Sequence, residues 1–284
     1  MSVSRATCWR LRTRTIAFER LPRLMGVVNV TPDSFSDGGR YFDPSAAVDH
    51  ALRLVDEGAD LLDIGGESTR PGAAPVDADE ELRRVMPVVE RLVATTDIPL
   101  SIDTSKAAVA RGAIAAGVEA INDVTGLTGD PEMLPLAVES GAGVCVMHMQ
   151  GTPRSMQAVP TYADVVAEVR DYLAGRRDVL LVAGVERERI CLDPGIGFGK
   201  TTEHNLELLR QIEVFQTLGC PVLVGPSRKA FIGQVLGDVQ ADRAAGTLGV
   251  VLAMARRGVQ IVRVHDVAEA RRALALFEAA GGLD

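Results

Sequence analysis

The sequence predicts an α/β protein with one (β/α)₈ (TIM) barrel, and three features of the chain support that fold class. Eight short apolar runs of strand type recur along the chain, and helical patterns lie between them. Most of these runs are apolar throughout rather than alternating, which is typical of a parallel sheet covered by helices. The 284 residues contain no stretch of linker composition, so the chain has the length and continuity of a single-domain barrel.

Residues 1–23 are predicted to form a short β extension that closes one end of the barrel, and residues 24–284 to form the barrel itself. Within the extension, residues 9–18 read WRLRTRTIAF, in which apolar and polar side chains alternate as they do in a strand. The barrel strands are predicted at 24–30, 61–67, 99–104, 120–124, 143–149, 190–193, 221–224 and 261–265.

The segments between the strands have the pattern of helices. Residues 48–55 carry apolar side chains at positions i, i+3, i+4 and i+7, and residues 82–89 repeat this spacing. Glycine tolerates the left-handed conformation in which many helices end. Glycines that stand shortly before a strand are therefore predicted to end helices, namely Gly58, Gly117, Gly141 and Gly258.

Charge and composition argue against several classes of protein. The net charge of −8 would repel a nucleic acid. No apolar run reaches the ~18 residues of a membrane span, and the N-terminus lacks the apolar block of a signal peptide. The four cysteines form no C-x-x-C pair, so they are predicted to be reduced core residues. We expect a cytoplasmic protein whose partners are small molecules rather than nucleic acid or membrane.

Polar residues stand at the predicted C-terminal ends of the strands, which is where barrel enzymes have their active sites. One such residue is also explained by a cap or an internal hydrogen bond, but the full set predicts an active site. The residues are Asn29, Glu67, Asp103, Asn122, His148, Asp193, Ser227 with Lys229, and Arg263 with His265.

The side chains of this set indicate two kinds of ligand. Asp103, Asn122 and Asp193 offer carboxylate and amide edges. These suit a neutral heterocycle with a 2-amino-pyrimidinone edge, because a carboxylate accepts its adjacent N–H groups in parallel. Basic side chains that converge on one face predict a site for phosphate or carboxylate. Those in or beside the strand-end loops are Arg70, Arg228, Lys229 and Arg263.

Metal and nucleotide motifs give a weaker signal. Asn29 and Asp37 offer oxygen ligands for Mg²⁺, with substrate phosphates completing the shell. Residues 195–201 read GIGFGKT and resemble two nucleotide-binding loops, but Pro194 and Lys200 stand where those motifs require glycine. The four histidines lack the spacing of a zinc site, and the strand-end serine lies in no G-x-S-x-G elbow. Zinc and nucleophilic serine chemistry are therefore disfavoured.

Longer motifs run through nearly the whole chain. They are MGVVNVTPDSFSDGG (25–39), GGESTRPG (65–72), SIDT (101–104), NDV (122–124), MHMQGTP (147–153), DPGIGFGK (193–200), GPSRKAFIG (225–233) and RVHDV (263–267). In this order they resemble the dihydropteroate synthase family of folate biosynthesis. The combination of TPDSFSDGG, ESTRPG and SRK is highly specific for that family.

The resemblance implies a (β/α)₈ barrel and a transferase. The family joins p-aminobenzoate to (7,8-dihydropterin-6-yl)methyl diphosphate, which gives 7,8-dihydropteroate and pyrophosphate, with Mg²⁺. The amine of p-aminobenzoate is a poor nucleophile because its lone pair is delocalised, so we expect an SN1-like path through a pterin methylene cation. The resemblance further implies a homodimer, for which the apolar segments 244–257 and 267–280 offer an interface, and inhibition by sulfonamides.

The resemblance also implies a role for individual residues. The pterin ring is expected to bind Asp103, Asn122, Asp193 and Lys229. Asn29 is expected to ligate Mg²⁺. The expected ligands of the diphosphate are Arg263, His265 and Asp37. The expected p-aminobenzoate pocket consists of Phe35, Thr69, Arg70, Pro71, Phe198, Ser227 and Lys229. The expected catalytic residues are Asp37, Lys229 and Arg263.

Two loops, 31–39 and 68–74, are expected to close over the site and to complete the p-aminobenzoate pocket, so that the pterin binds first. Ala230 departs from the family pattern, since many relatives carry serine there. We expect this change to alter the affinity for p-aminobenzoate rather than abolish activity, because the backbone N–H at 230 still donates.

Two alternative functions stay open on the sequence. A non-catalytic paralogue would bind the pterin without condensation. A pterin-dependent methyltransferase would share the barrel and an Asn/Asp pterin site, but such enzymes lack TPDSFSDGG and SRK, both of which this chain contains.

Overall fold

The computed structural model describes residues 5–31, 44–68, 72–152, 155–156 and 159–284. In these ranges the strands are β1 (Cys8–Arg10), β2 (Thr15–Ala17), β3 (Arg23–Asn29), β4 (Leu61–Gly65), β5 (Leu100–Asp103), β6 (Ala120–Asp123), β7 (Gly143–Met147), β8 (Ile190–Asp193), β9 (Leu223–Val224) and β10 (Ile261–Val264). The helices are α1 (Pro44–Asp56), α2 (Ala78–Thr95), α3 (Ala107–Ala116), α4 (Met133–Ser140), α5 (Val165–Ala183), α6 (Thr202–Arg210), α7 (Glu213–Gln216), α8 (Ala230–Val235), α9 (Ala244–Arg256) and α10 (Val267–Ala279).

Strands β3 to β10 form one parallel sheet in the order β8-β7-β6-β5-β4-β3-β10-β9. A parallel bridge between Leu192 and Val222 joins β8 to the residue before β9, so the sheet closes on itself. Helices connect successive strands, and the predicted (β/α)₈ barrel is confirmed. Strand β9 is shorter than its predicted range of 221–224, because the Val222 N–H donates to the side chain of Gln260, at 2.9 Å, instead of to a neighbouring strand.

Burial explains why the strands are apolar throughout. Every residue of β4 and β7 is buried, since helices cover the outside of the barrel and side chains from other strands fill its inside. The glycines predicted to end helices adopt positive φ angles of 96° at Gly58, 119° at Gly117, 63° at Gly141 and 69° at Gly258. Among the described residues no helix is long and apolar enough to cross a membrane.

The hairpin of β1 and β2 covers the end of the barrel at which the strands begin. Trp9 and Leu11 are fully buried against residues near the starts of barrel strands, among them Met25, Leu61 and Ile261. The indole N–H of Trp9 donates to the carbonyl of Arg189 at 2.9 Å. Among the described residues, this end of the barrel is therefore filled with apolar side chains.

Replacing Trp9 by alanine is expected to destabilise the protein by about 3–5 kcal/mol, because the cavity left beneath the barrel cannot collapse fully. Chemical denaturation followed by circular dichroism measures this loss without relying on fluorescence, since Trp9 is the only tryptophan. Val182→Ala is the control, because Val182 is 91% exposed and should change stability by less than about 0.5 kcal/mol. Equal stability of the two variants would show that the hairpin does not support the barrel.

Candidate active site

A cavity of 1880 Å³ opens at the carboxyl ends of the barrel strands. Of the sequence-predicted site residues, those that line it are Asn29, Phe198, Ser227, Arg228, Lys229, Arg263 and His265. Because they come from the ends of β3 and β10 and from the loops after β8 and β9, far apart in sequence, only closure of the barrel brings them together. The cavity is large enough for two small substrates to bind side by side.

Arg263 connects this cavity to two carboxylates deeper in the barrel. Its Nε donates to Asp63 Oδ2 at 2.6 Å, and its Nη2 donates to Asp103 Oδ2 at 2.8 Å. The Nδ2 of Asn122 donates to the same Asp63 oxygen at 2.8 Å. Asp63 is fully buried, and its other oxygen, Oδ1, has no hydrogen-bond partner in the described structure. We call these four residues the arginine network.

Strand register places residues of neighbouring strand ends in a row, and Asp103 and Asn122 of the arginine network belong to it. Asn29 pairs with Gly65, Gly65 with Asp103, and Asp103 with Asn122 across β3 to β6. A Cβ on Gly65 would lie 3.3 Å from the Cβ of Asp103, closer than most such contacts, so the missing side chain leaves room for the carboxylate. The sequence prediction that polar strand ends converge follows from this register.

Burial and neighbouring charges set the protonation of the network. Burial raises the pKa of Asp103 to about 7; the cation of Arg263 opposes this shift, and the carboxylate of Asp63 adds to it. Burial alone would lower the pKa of Arg263, but Asp63 and Asp103 outweigh it and raise that pKa. Arg263 therefore stays cationic, whereas Asp103 titrates near neutral pH.

Lys229 lies above the ring of Phe198, with its Nζ 4.0 Å from the ring centroid. Burial and the nearby Arg263 lower the pKa of Lys229 to about 8, while Asp193 and Asp103 oppose the shift. The two residues thus form a surface with a cation on one side and an aromatic edge on the other. Such a surface suits a flat ligand that carries an anionic group.

Asp193 is the last residue of β8, and the glycine-rich loop follows it directly. Its Oδ1 accepts the N–H of Gly195 at 2.7 Å. Burial raises the pKa of Asp193 to about 6. The hydrogen bond from Gly195 and the charges of Lys229 and Lys200 oppose this rise, because they stabilise the ionised carboxylate. A Cβ at Gly195 would lie 1.9 Å from the carbonyl oxygen of His148, and φ is +70° there, so only glycine fits between this loop and the end of β7.

His265 and Ser227 form a neutral polar pair at the ends of β10 and β9. The Nδ1 of His265 lies 2.9 Å from the Ser227 hydroxyl. Burial, with the cations Arg263 and Arg228, lowers the pKa of His265 to about 4. A neutral imidazole at pH 7 contacts an anionic ligand as a hydrogen-bond donor rather than as a charge.

Two residues of the sequence-predicted set have other partners than expected. Arg228, predicted to join the anion site, is exposed and forms a salt bridge with Asp266. The distance from its Nη2 to Asp266 Oδ1 is 2.5 Å. Glu67, predicted at a strand end, lies beyond β4 and accepts from Lys106 at 2.6 Å and from the Val76 N–H at 3.0 Å. Both predictions overlooked nearby opposite charges, which tertiary folding brings into reach.

Several predicted residues lie outside the described ranges. They are Phe35, Asp37, Thr69, Arg70 and Pro71. The loops 31–39 and 68–74 are therefore described only at Thr31, Ser68 and 72–74.

Sequence reasoning missed two residues of this region. Asp63 is the one charged residue within the buried run LLDIG, and an acid in an otherwise apolar strand is a signal that was available. In the sequence, Lys200 stands out only as a mismatch to nucleotide-binding motifs. It is 3% exposed, and its Nζ lies 3.0 Å from the Nδ1 of His148. His148, predicted to line the site, is therefore held by a buried lysine.

Comparisons with known proteins identify the family of this chain. Residues 25–265 match the family described as pterin binding enzyme, and the chain belongs to that family. It is 46% identical over 258 residues to the dihydropteroate synthase of Escherichia coli (strain K12), an alignment that covers 91% of each chain.

Solved structures are similar over nearly the whole chain. The dihydropteroate synthase of Xanthomonas albilineans with 4-aminobenzoic acid superposes with a TM-score of 0.90 at 47% identity, covering 98% of this chain and 100% of the other. The Yersinia pestis dihydropteroate synthase in complex with a sulfonamide drug superposes with a TM-score of 0.89 at 43% identity, covering 97% of this chain and 99% of the other.

Asp63→Asn is expected to lower the pKa of Asp103 from about 7, because it removes a negative charge that shares Arg263 with Asp103. Carbon-13 NMR of the aspartate carboxyl groups across pH 4–9 measures the midpoint, with Asp103→Asn assigning the signal. Asp171→Asn, which removes an exposed carboxylate, is the control and should leave the midpoint unchanged. If Asp63→Asn also left it unchanged, the two carboxylates would not be coupled.

Proposed function

We propose that this protein is a dihydropteroate synthase, a transferase that joins p-aminobenzoate to (7,8-dihydropterin-6-yl)methyl diphosphate with release of pyrophosphate. The observation that carries the proposal is the convergence of Asp103, Asn122, Asp193, Lys229 and Arg263 at one barrel end in a chain of the pterin binding enzyme family. Such a set recognises a heterocycle and an anion together.

The pterin binds at the deep end of the cavity in this proposal. Its 2-amino-pyrimidinone edge presents adjacent N–H donors, which the carboxylate of Asp193 accepts in parallel. The pKa of Asp193, about 6, leaves this carboxylate mostly ionised at pH 7. Asn122 and Asp103 offer further polar edges, and Asn122 is fixed in orientation by its bond to Asp63.

The chemistry consists of helping pyrophosphate to leave. Arg263 stays cationic next to the cavity and would stabilise the charge that develops on the diphosphate. His265 would add a neutral hydrogen bond to it. The carboxylates of Asp103 and Asp193 supply negative charge near the pterin methylene carbon as it becomes cationic. The weakly nucleophilic amine of p-aminobenzoate then attacks that carbon.

Mg²⁺ is proposed to bind at Asn29. The amide of Asn29 ends β3 and lines the cavity, and an amide oxygen is a ligand type that this hard cation accepts. Among the described residues no group of three or more His, Cys, Asp and Glu side chains forms a metal site, which fits a cation held mainly by water and substrate phosphates. When bound, Mg²⁺ would neutralise charge on the leaving diphosphate.

The p-aminobenzoate pocket is proposed to use Phe198, Ser227 and Lys229. The ring of Phe198 would pack on the aromatic substrate, and the Lys229 cation would face its carboxylate. Ala230 begins α8, so its backbone N–H belongs to a helix start and is available as a donor despite the missing hydroxyl. Relatives solved with 4-aminobenzoic acid and with a sulfonamide drug support this assignment and sulfonamide inhibition.

We further propose a cytoplasmic homodimer. The four cysteines are free, which suits a reducing compartment. Leu276 on α10 is 72% exposed. Three further apolar residues are exposed between the end of α8 and the start of α9, namely Val235, Leu236 and Val239. These side chains offer an apolar surface for a second copy. Sedimentation velocity tests the dimer, and a monomer at all concentrations would exclude it.

Pyrophosphate release with Mg²⁺, measured with and without p-aminobenzoate, tests the proposed function. We expect release coupled to formation of 7,8-dihydropteroate, and inhibition by a sulfonamide that p-aminobenzoate relieves. Binding of the pterin diphosphate without product would identify a non-catalytic paralogue. No binding would exclude a pterin substrate altogether.

Asp193→Asn is expected to weaken pterin binding by about 100-fold or more, because an amide cannot accept two N–H bonds in parallel and leaves one buried donor unpaired. Isothermal titration calorimetry with the pterin substrate measures this loss. Glu207→Gln, which removes an exposed carboxylate on α6, is the matched control. Unchanged affinity in Asp193→Asn would place the pterin elsewhere.

A further inference from the structure

Lysine is rare in this chain, and its positions are informative. Only three of the 30 basic residues Lys and Arg are lysines: Lys106, Lys200 and Lys229. Each follows a barrel strand at the end that carries the cavity, whereas arginine supplies every other basic side chain. An ammonium group is compact and has three donors, while a guanidinium is a planar fork, so the two are not interchangeable at a buried site. Lys229 belongs to the proposed substrate site, and Lys106 pairs with Glu67 and Glu81.

Lys200 has no carboxylate among its hydrogen-bond partners although it is buried. Its Nζ lies 3.0 Å from the Nδ1 of His148, 3.3 Å from the carbonyl oxygen of His148 and 3.0 Å from the carbonyl oxygen of Phe198. The ammonium has three N–H groups and three acceptors, so it is fully satisfied. Since an ammonium can only donate, His148 accepts through Nδ1 and carries its own proton on Nε2. Burial, with the adjacent Lys200, lowers the pKa of His148 to about 3, in agreement with a neutral ring.

These bonds join two loops that already touch through their backbones. One loop follows β7 and contains His148 and Gln150; the other is 195–199. A Cβ at Gly195 would lie 1.9 Å from the His148 oxygen, and one at Gly199 would lie 2.4 Å from the Gln150 oxygen. The carbonyl of His148 lies at this contact, and Lys200 donates to it as well as to the carbonyl of Phe198 within the loop 195–199.

Both ends of the loop 195–199 bear on the proposed substrate site. At one end Gly195 donates to Asp193, and near the other Phe198 packs under Lys229. A displaced loop would therefore move the carboxylate and the aromatic ring together. A buried ammonium close to Asp193 also favours the ionised carboxylate.

We propose that Lys200 is a positioning residue for the pterin site, whose N–H bonds to His148 and Phe198 lock the loop 195–199 onto the end of β7 and whose charge keeps Asp193 ionised. Lys200 itself need not touch the substrate. The inference rests on the proposed function only where it concerns the pterin, because the state of Asp193 is measurable in the free protein.

The charges around Asp193 fix the sign of the effect. The cations that face it are Lys229, Lys200 and Arg263. Around Lys200 stand Asp193, Lys229 and the neutral His148. Burial lowers the pKa of Lys200 to about 7, above the value of about 6 for Asp193, so Lys200 is mainly protonated where Asp193 titrates. Removing the ammonium must raise the pKa of Asp193. Pterin binding, which needs the ionised carboxylate, is lost as the pH falls, and this loss must then begin at a higher pH.

Lys200→Met removes both the charge and the bonds, and Lys200→Arg keeps the charge with a different geometry. Carbon-13 NMR titration of Asp193 in the free protein, assigned with Asp193→Asn, is expected to show a higher midpoint in Lys200→Met and an unchanged one in Lys200→Arg. Arg111→Met removes one exposed cation and serves as the charge-matched control. An unchanged midpoint in folded Lys200→Met would overturn the electrostatic part of the proposal.

Pterin affinity measured by calorimetry from pH 5 to pH 8 tests the positioning part. At pH 6.5, where wild-type Lys200 and Asp193 are both mainly ionised, both Lys200 variants are expected to bind about tenfold more weakly, since the clamp is broken in each. Only Lys200→Met should shift the pH at which binding is lost. Circular dichroism checks folding, and if Lys200→Met does not fold, Lys200→Arg still tests the clamp. Wild-type affinity in Lys200→Arg would overturn the clamp. Absence of pterin binding by the wild type would instead refute the proposed function, while the NMR result would stand.

Discussion

The guanidinium of Arg263 lies between the carboxylates of Asp63 and Asp103, and the rest of the site depends on this buried interaction. Removing one member of such a group would leave an uncompensated charge inside the barrel, which typically costs several kcal/mol. An apolar trio would serve stability at least as well. The charges are therefore better explained by ligand recognition, since they keep one cation and one titrating carboxylate at the cavity. Asn122 is oriented by the same Asp63 oxygen, so a single buried acid holds two groups directly and a third, Asp103, through Arg263.

The two ends of the barrel differ because of what the chain places at the strand starts and strand ends. At the starts, Trp9 and Leu11 fill the interior and leave little space for a polar ligand. Towards the other end the interior carries the buried polar groups of Asp63, Asn122 and Arg263, and Asp63 Oδ1 has no hydrogen-bond partner within the described structure. A protein tolerates such a group where a ligand or water can pair with it. Stability is thus concentrated at one end of the barrel and recognition at the other.

Glycine links packing to function at the loop after β8. Because Gly195 and Gly199 have no side chains, the loop lies directly on the backbone beyond β7. At this close approach lies the carbonyl of His148, to which Lys200 donates, and a further Lys200 bond to the carbonyl of Phe198 ties the loop to the same ammonium. The arrangement connects the placement of Asp193 to a contact between two backbone segments, so the carboxylate is positioned by the loops as well as by its strand.

The sequence by itself determined the barrel, its strands to within a few residues, the helix-ending glycines and the strand ends that carry the cavity. These features are local: apolar runs, glycine positions and polar residues at the ends of runs leave a pattern that can be read along the chain. Only the tertiary structure showed that Asp63 lies between Arg263 and Asn122, that Arg228 pairs with Asp266, and that Lys200 holds His148. The physical reason is that ion pairs and buried hydrogen bonds depend on distance in space. In Arg263 and Asp63 that distance is 2.6 Å across 200 residues of sequence, and no local pattern encodes it.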